Sequence, residues 1–499
     1  MAIRTTKTYV SLGFLGDLRM GLNELSRKTS TEHKAAVLLL ILVGAVLRGK
    51  LLGLPVAYLE ATAYIDFATQ SFSRIISDYS FPTNRVFNTL LVKISTGVFG
   101  VGLFQLRLPG FIASVLCMPI YYVFVRSMFN RYIALISLAI VAASGPLLAS
   151  SAPGIGYNLC WLFFTASLLL GRHFIKSNNV KSALWIAFLN ALGLWVVPAY
   201  AYAAFAIYIW VLIALMMAYK TSLRERMLRL VFSFIMFIVF ALILYSPILQ
   251  ENGFDQLTNH HTQPRLEWQV FDLRHTDLAF ALWSMAVDST SGWTVGLGLL
   301  GLLYAAFISS KLRAMLVALF ISGVVMVVLI RRMEPVEVWG YTFFIFHLSS
   351  GIAVFYLLKF LQEKVFPNWG KRTRTVTASL FLLVVFGWPG YYYAAQQNYG
   401  MPQAHLSVAL IKERLVPGDK LYVQHPWDDP VRFLMLSEGV DQQFITGPPA
   451  PAGKVMVAVG LRPLQTVEGV LRVNGEDPAR WPDMRMVEDW IGLKIFAAP

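Results

Sequence analysis

Apolar runs about as long as a bilayer is thick recur along this chain, at roughly 35–52, 107–126, 132–149, 157–172, 182–197, 199–219, 228–248, 292–308, 312–331, 339–360 and 375–395. No other feature constrains the fold as strongly. Hydrocarbon offers backbone groups no partner, so each run has to satisfy its own N–H and C=O groups as a helix. The runs are continuous rather than alternating, which excludes an outer-membrane barrel. The expectation is an all-α polytopic membrane protein with about eleven transmembrane helices. A charged fraction of only 14% fits this, since soluble domains carry about 25%.

The net charge of +14 would suit a nucleic-acid binder, but its distribution argues otherwise. Positive charge collects in short loops at every second span boundary: Arg126 and Arg131; Arg172, Lys176 and Lys181; Lys220, Arg224, Arg226 and Arg229; Lys311 and Arg313; Lys359, Lys364, Lys371, Arg372 and Arg374. Of the loops at the other boundaries, the one at 250–291 has six acidic residues against Arg265 and Arg274, and the turn at 150–156 has no charge. That asymmetry orients the chain with these loops and the basic leader, residues 1–34, on the cytoplasmic side. An odd number of spans then puts residues 396–499 outside. The localisation expected is a bacterial inner membrane. Cys117 and Cys160 lie inside apolar runs and make neither a disulfide framework nor a metal motif. The spans carry no charge at mid-depth, which argues against a pathway for polar cargo.

Three domains follow: the leader at 1–34, a membrane domain at 35–395, and an extracytoplasmic α/β domain at 396–499. In the last, helices are expected at 404–415 and 430–438, and strands at 420–424, 454–459 and 493–497. Two long outer loops interrupt the membrane domain. The one at 250–291 is polar. The one at 53–106 is too polar to cross a bilayer and too apolar to be a free loop. It carries Glu60, then Asn84-Arg85 and Asn88, and leads into Arg107-Leu108-Pro109. Arg331-Arg332 breaks the charge pattern at the outer end of a span. Adjacent guanidinium groups there suit a phosphate clamp, or they reach to the interface and pair with Glu334 or Glu337.

These loops resemble the GT-C class of membrane glycosyltransferases, in the branch of protein O-mannosyltransferases and the lipid A aminoarabinose transferase. The resemblance rests on Leu59-Glu60-Ala61-Thr62-Ala63-Tyr64, on Pro82-Thr83-Asn84-Arg85 through Leu91, and on Phe99-Gly100 followed by Arg107-Leu108-Pro109. Tyr157 and Tyr341 keep the tyrosines of two later turns. It covers the first 175 residues and, beyond them, the layout only. Leu59, Arg85, Asn88, Ile155 and Gly340 stand where the branch commonly has an acid, a His, a second His or Tyr, and two arginines.

The resemblance implies sugar transfer from a polyprenyl-phosphate carrier to an envelope lipid or glycan on the outer face. It makes Glu60 the candidate base, and Asn84, Arg85, Asn88, Arg107, Tyr157, Arg331, Arg332 and Tyr341 the candidate substrate-binding residues. The expected partners are the lipid-linked sugar, its acceptor and membrane lipids. No nucleic acid and no cofactor is expected. His260, His261 and His275 lack metal-ligand spacing. A diverged relative that binds lipid-linked glycans without transfer is the alternative.

Overall fold

The computed structural model describes residues 29–151, 153–219, 221–258, 265–289, 292–332, 334–365, 370–397, 400–447, 453–461 and 464–498. The leader up to residue 28, and His260 and His261, lie outside the described residues.

Each expected span is helical. They are α1 (Thr31–Leu51), α5 (Leu103–Met128), α6 (Arg131–Ala143) with the short α7 (Gly145–Ala149), α8 (Tyr157–Ser177), α9 (Val180–Val196), α10 (Ala201–Ala218), α11 (Leu223–Thr258), α13 (Gly292–Ile308), α14 (Ser310–Ile330), α15 (Tyr341–Lys364) and α16 (Lys371–Gln396). Among the described residues, seven helices are long and apolar enough to cross a membrane on length and composition alone; α6, α9 and the apolar stretch of α13 are shorter. The main core is built where α5, α6, α8, α10 and α15 meet. Leu135, Leu138, Tyr121, Phe164, Tyr202 and Phe344 are fully or almost fully buried there.

The loop after α1 folds into a platform: α2 (Tyr58–Thr62), a π turn (Ala63–Ala68), α3 (Phe72–Ser77) and α4 (Val86–Phe99). Here α4 buries Val86, Asn88, Thr89 and Val92 on one face. Its other face leaves Ile94, Val98 and Phe99 exposed, as befits a helix lying at an interface. The second loop differs from the sequence expectation. Most of it is helical: α11 runs on to Thr258, with a break at Gly253 (φ +76°), and α12 spans Trp268–Asp288. The charged residues that mark the stretch as polar sit on an otherwise apolar helix, so hydropathy alone reads it as loop.

The C-terminal unit holds α17 (Pro402–Arg414), α18 (Asp428–Ser437), α19 (Val467–Val473) and a four-stranded sheet of order β1-β2-β4-β3. β1 (Lys420–Tyr422) pairs parallel to β2 (Val455–Gly460), and β4 (Leu493–Ala497) antiparallel to β2. β3 (Arg485–Trp490) had no counterpart in the sequence expectation. It is an edge strand, mostly exposed, and its charges hide the strand pattern.

Platform and C-terminal unit share one core. Val56, Ala61, Tyr64, Val92 and Leu106 pack with Val408, Ile411, Val431 and Phe433. Met401 N–H donates to the Val56 carbonyl at 2.8 Å, and Thr62 Oγ1 donates to Asp429 Oδ2 at 2.7 Å. The C-terminal unit is therefore held against the platform.

Candidate functional site

A cleft opens at the platform end of the helices. Its walls come from four segments: Tyr79, Pro82 and Arg85 of the platform, Tyr157 at the start of α8, Val197, Pro198 and Ala199 between α9 and α10, and Arg332, Glu334, Pro335 and Val338 ahead of α15. Each segment is a helix end or a turn, where polar side chains can stand at the membrane surface without crossing it.

Arg85 is aimed by two contacts. Its guanidinium lies 4.1 Å from the centre of the Tyr157 ring, and Nη1 donates to the Ile155 carbonyl. The turn that presents Ile155 depends on Gly156, whose φ of +84° is poorly tolerated by other residues. A Cβ at Gly156 would also stand 2.8 Å from Asn88 Cβ. Burial pushes the Tyr79 hydroxyl up to about 12, Arg85 opposing it, so it stays protonated at neutral pH and can donate a hydrogen bond. Burial also raises the Glu334 carboxyl above its usual range, with Arg332 and Arg85 pulling the other way. Two arginines, two tyrosines and one carboxylate thus face a single space. That set can hold a phosphate between guanidinium groups and accept a proton beside it.

Of the residues expected from sequence, Arg85, Tyr157 and Arg332 line this cleft. The others do not. Glu60, the expected base, is fully buried and makes an ion pair with Arg107. Glu60 Oε1 also accepts Ala57 N–H at 2.9 Å, and Oε2 accepts Gly154 N–H at 2.6 Å and Arg107 Nε at 3.1 Å. Arg107 gives its remaining donors to the Leu52, Leu54 and Pro55 carbonyls at 2.9, 2.6 and 3.0 Å. Both side chains are saturated, so here Glu60 ties α2, α5 and the 154–156 turn together.

Asn84 and Asn88 are likewise turned inward. Asn84 Nδ2 donates to the Ile75 carbonyl at 2.9 Å and the Asp78 carbonyl at 2.5 Å; Asn88 Nδ2 donates to Gly154 O at 2.8 Å. Tyr341 is 1% exposed and packs against Phe164 and Trp339. Arg331 takes a left-handed conformation (φ +51°), lies 4.3 Å from the Trp268 ring, and accepts Leu266 N–H on its carbonyl at 2.9 Å. It thus fastens the 265–268 segment to the end of α14 while its neighbour Arg332 lines the cleft.

From the sequence, Glu334 is expected only as an ion-pair partner, and nothing there marks Tyr79. The signal available for Glu334 was its place two residues after an arginine pair at a span end, directly before a proline.

A larger cleft lies among α6, α13, α15 and α16. Among the described residues, no Lys, Arg, Asp or Glu lines it, and His347 is bonded there to Ser144 at 2.8 Å. It offers nothing to neutralise a phosphate. Among the described residues, no group of three His, Cys, Asp or Glu side chains is placed to hold a metal ion.

Residues 86–245 match the family model described as dolichyl-phosphate-mannose-protein mannosyltransferase. No curated protein sequence matches the chain. Among solved structures, the chain is similar to ArnT from Cupriavidus metallidurans in the apo state, at 13% identity and a TM-score of 0.58, covering 94% of this chain and 99% of that one. The same protein bound to undecaprenyl phosphate matches at 12% identity and a TM-score of 0.56, covering 93% and 98%. The chain therefore has the polytopic membrane fold that ArnT takes.

Proposed function

We propose that the chain is a glycosyltransferase that moves a hexose or pentose from a polyprenyl-phosphate carrier to an envelope lipid or glycan. The site is the Arg85–Arg332 cleft, on the outer face of a bacterial inner membrane. One observation carries this reading: two arginines from distant parts of the chain converge beside a carboxylate at the membrane-surface end of a fold that in ArnT binds undecaprenyl phosphate. The basic loops at the opposite ends of the helices support the orientation.

The chemistry follows from the groups present. The carrier phosphate sits between Arg85 and Arg332, with Tyr79 donating a hydrogen bond. An acceptor hydroxyl attacks the anomeric carbon as the bond from that carbon to the phosphate oxygen breaks. The pair of electrons leaves with the phosphate, whose new negative charge the guanidinium groups stabilise. The hydroxyl proton goes to Glu334, the carboxylate in this cleft, rather than to Glu60.

The locked state of Glu60 favours a second reading, in which the cleft binds lipid-linked glycans without transfer. Mass spectrometry of envelope glycolipids from cells with and without the protein separates the two. Loss of one hexose or pentose unit supports transfer. An unchanged glycolipid profile, with polyprenyl phosphate still binding the purified protein, overturns transfer in favour of the binding role.

A further inference from the structure

We propose that the C-terminal unit rests on the bilayer through an apolar tip made by Leu461, Leu464 and Ile491, which enters the interfacial layer of the leaflet on the platform side.

The tip is assembled from two turns at one end of the sheet. β2 ends at Gly460, which pairs with Leu493 of β4. The next N–H, of Leu461, donates to the Gly492 carbonyl at 3.0 Å. Leu461 and the β3–β4 turn therefore lie side by side. Gly492 has φ +88°, and this tight turn leaves Ile491 94% exposed. Leu464, also 94% exposed, lies ahead of Thr466, which caps α19. Leu461 is 42% exposed. Two large aliphatic side chains almost wholly bare at one end of a small domain are not expected of a surface that meets only water.

The same end of the sheet faces the membrane domain. α16 finishes at Gln396, Gly400 bridges to Ala57 of the platform, and α17 begins at Pro402. Gln403, in the first turn of α17, donates to the Ile491 carbonyl. The tip is thereby tied to a segment only a few residues beyond a spanning helix. His425, just past β1 at this end, packs edge-on to Tyr58 of the platform at 4.7 Å. At the far end of the sheet, the turn before β1 carries Val416 and the close of α19 carries Val473, both exposed. The tip is tied to the segment that leaves α16, a helix long and apolar enough to cross a bilayer, so a bilayer is the partner that this placement brings within reach. Shallow insertion of aliphatic side chains by about 5–10 Å is the mode that suits such a tip.

The full-length chain in lipid nanodiscs tests this. Cysteine is introduced singly by Leu464→Cys, Ile491→Cys and, as far-end controls, Val416→Cys and Val473→Cys. Each is labelled with the environment-sensitive fluorophore NBD, and the unsubstituted chain, whose Cys117 and Cys160 are buried, serves as the labelling blank. All four positions are exposed, so folding is preserved. At 464 and 491, NBD emission should shift to the blue, and nanodiscs of brominated phosphatidylcholine should quench it by ~2-fold or more, the label lying within the acyl-chain boundary. Labels at 416 and 473 should stay water-like and unquenched. Water-like emission at all four positions would overturn the proposal. A blue shift at 464 and 491 without bromine quenching would overturn it too, assigning the tip to a protein partner instead.

Discussion

Glu60 and Arg107, 47 residues apart, form a fully buried ion pair in which the carboxylate also accepts the Gly154 N–H. The pair joins the entry of the platform to the start of α5 and to the turn that presents Ile155 to Arg85. Its role follows from saturation: each donor of Arg107 and both oxygens of Glu60 are committed within the protein.

Breaking one member should therefore harm folding rather than chemistry. Arg107→Met strands a buried carboxylate and should cost about 3–5 kcal/mol, whereas Arg107→Met with Glu60→Gln should recover much of it. Thermal unfolding in detergent measures both. Glu60→Gln alone should lower the unfolding midpoint while the folded fraction keeps its turnover. A folded Glu60→Gln protein with no turnover would return the base role to Glu60.

Removing the phosphate clamp should act on carrier binding. Arg85→Ala and Arg332→Ala each delete charge-assisted hydrogen bonds worth about 1.5–3 kcal/mol, so affinity for polyprenyl phosphate should fall about tenfold to a hundredfold. Arg85→Lys keeps the charge but loses the planar fork and the stacking on Tyr157, and should recover only part of the loss. Equilibrium binding of the purified variants to a short-chain polyprenyl phosphate checks this.

Glu334→Gln should lower kcat by about 10²–10⁴ with KM little changed, the usual span for losing a general base. The wild-type rate should depend on pH with a definite sign. Burial raises the Glu334 carboxyl, and only its deprotonated form accepts a proton. The rate should rise with pH through a midpoint above the ordinary Glu value of about 4.3, and this limb should vanish in Glu334→Gln. A pH profile of sugar transfer, measured for both proteins, is the check.

Gly156→Ala adds a Cβ 2.8 Å from Asn88 Cβ, at a residue with φ +84°. Strain of about 1–3 kcal/mol should result. The turn carries Ile155, which holds Arg85, and leads into Tyr157. Carrier affinity should therefore drop along with the unfolding midpoint, although residue 156 does not line the cleft.

The helical class of the protein, the position of each span and the α/β character of the C-terminal unit were legible in the sequence. These depend on local quantities: the length of an apolar run, the sign of charge at its ends, and the spacing of aliphatic residues in 454–459. Of the motif residues, Tyr157 lies on the cleft wall, whereas Arg107 is paired with Glu60 away from it. Hydropathy reads the stretch that forms α12 as loop, because its charges lie on an otherwise apolar helix. The charged edge strand β3 stayed hidden for the same kind of reason.

The choice among polar residues belongs to the tertiary structure. Glu60, Asn84, Arg85 and Asn88 look alike in sequence, all polar residues in one interfacial loop. A polar group taken out of water has to find a partner, but that partner can be the protein's own backbone or a ligand, and sequence does not say which. In the fold, Gly154 and Arg107 satisfy Glu60 from within, and the Ile75, Asp78 and Gly154 carbonyls take the amide donors of Asn84 and Asn88. Arg85 is turned toward Tyr157 and the cleft, where Arg332 and Glu334 arrive from nearly 250 residues further along the chain. Spans are written locally because a bilayer acts on each residue in the same way. The site is a convergence of four separate segments, and only their packing brings them together.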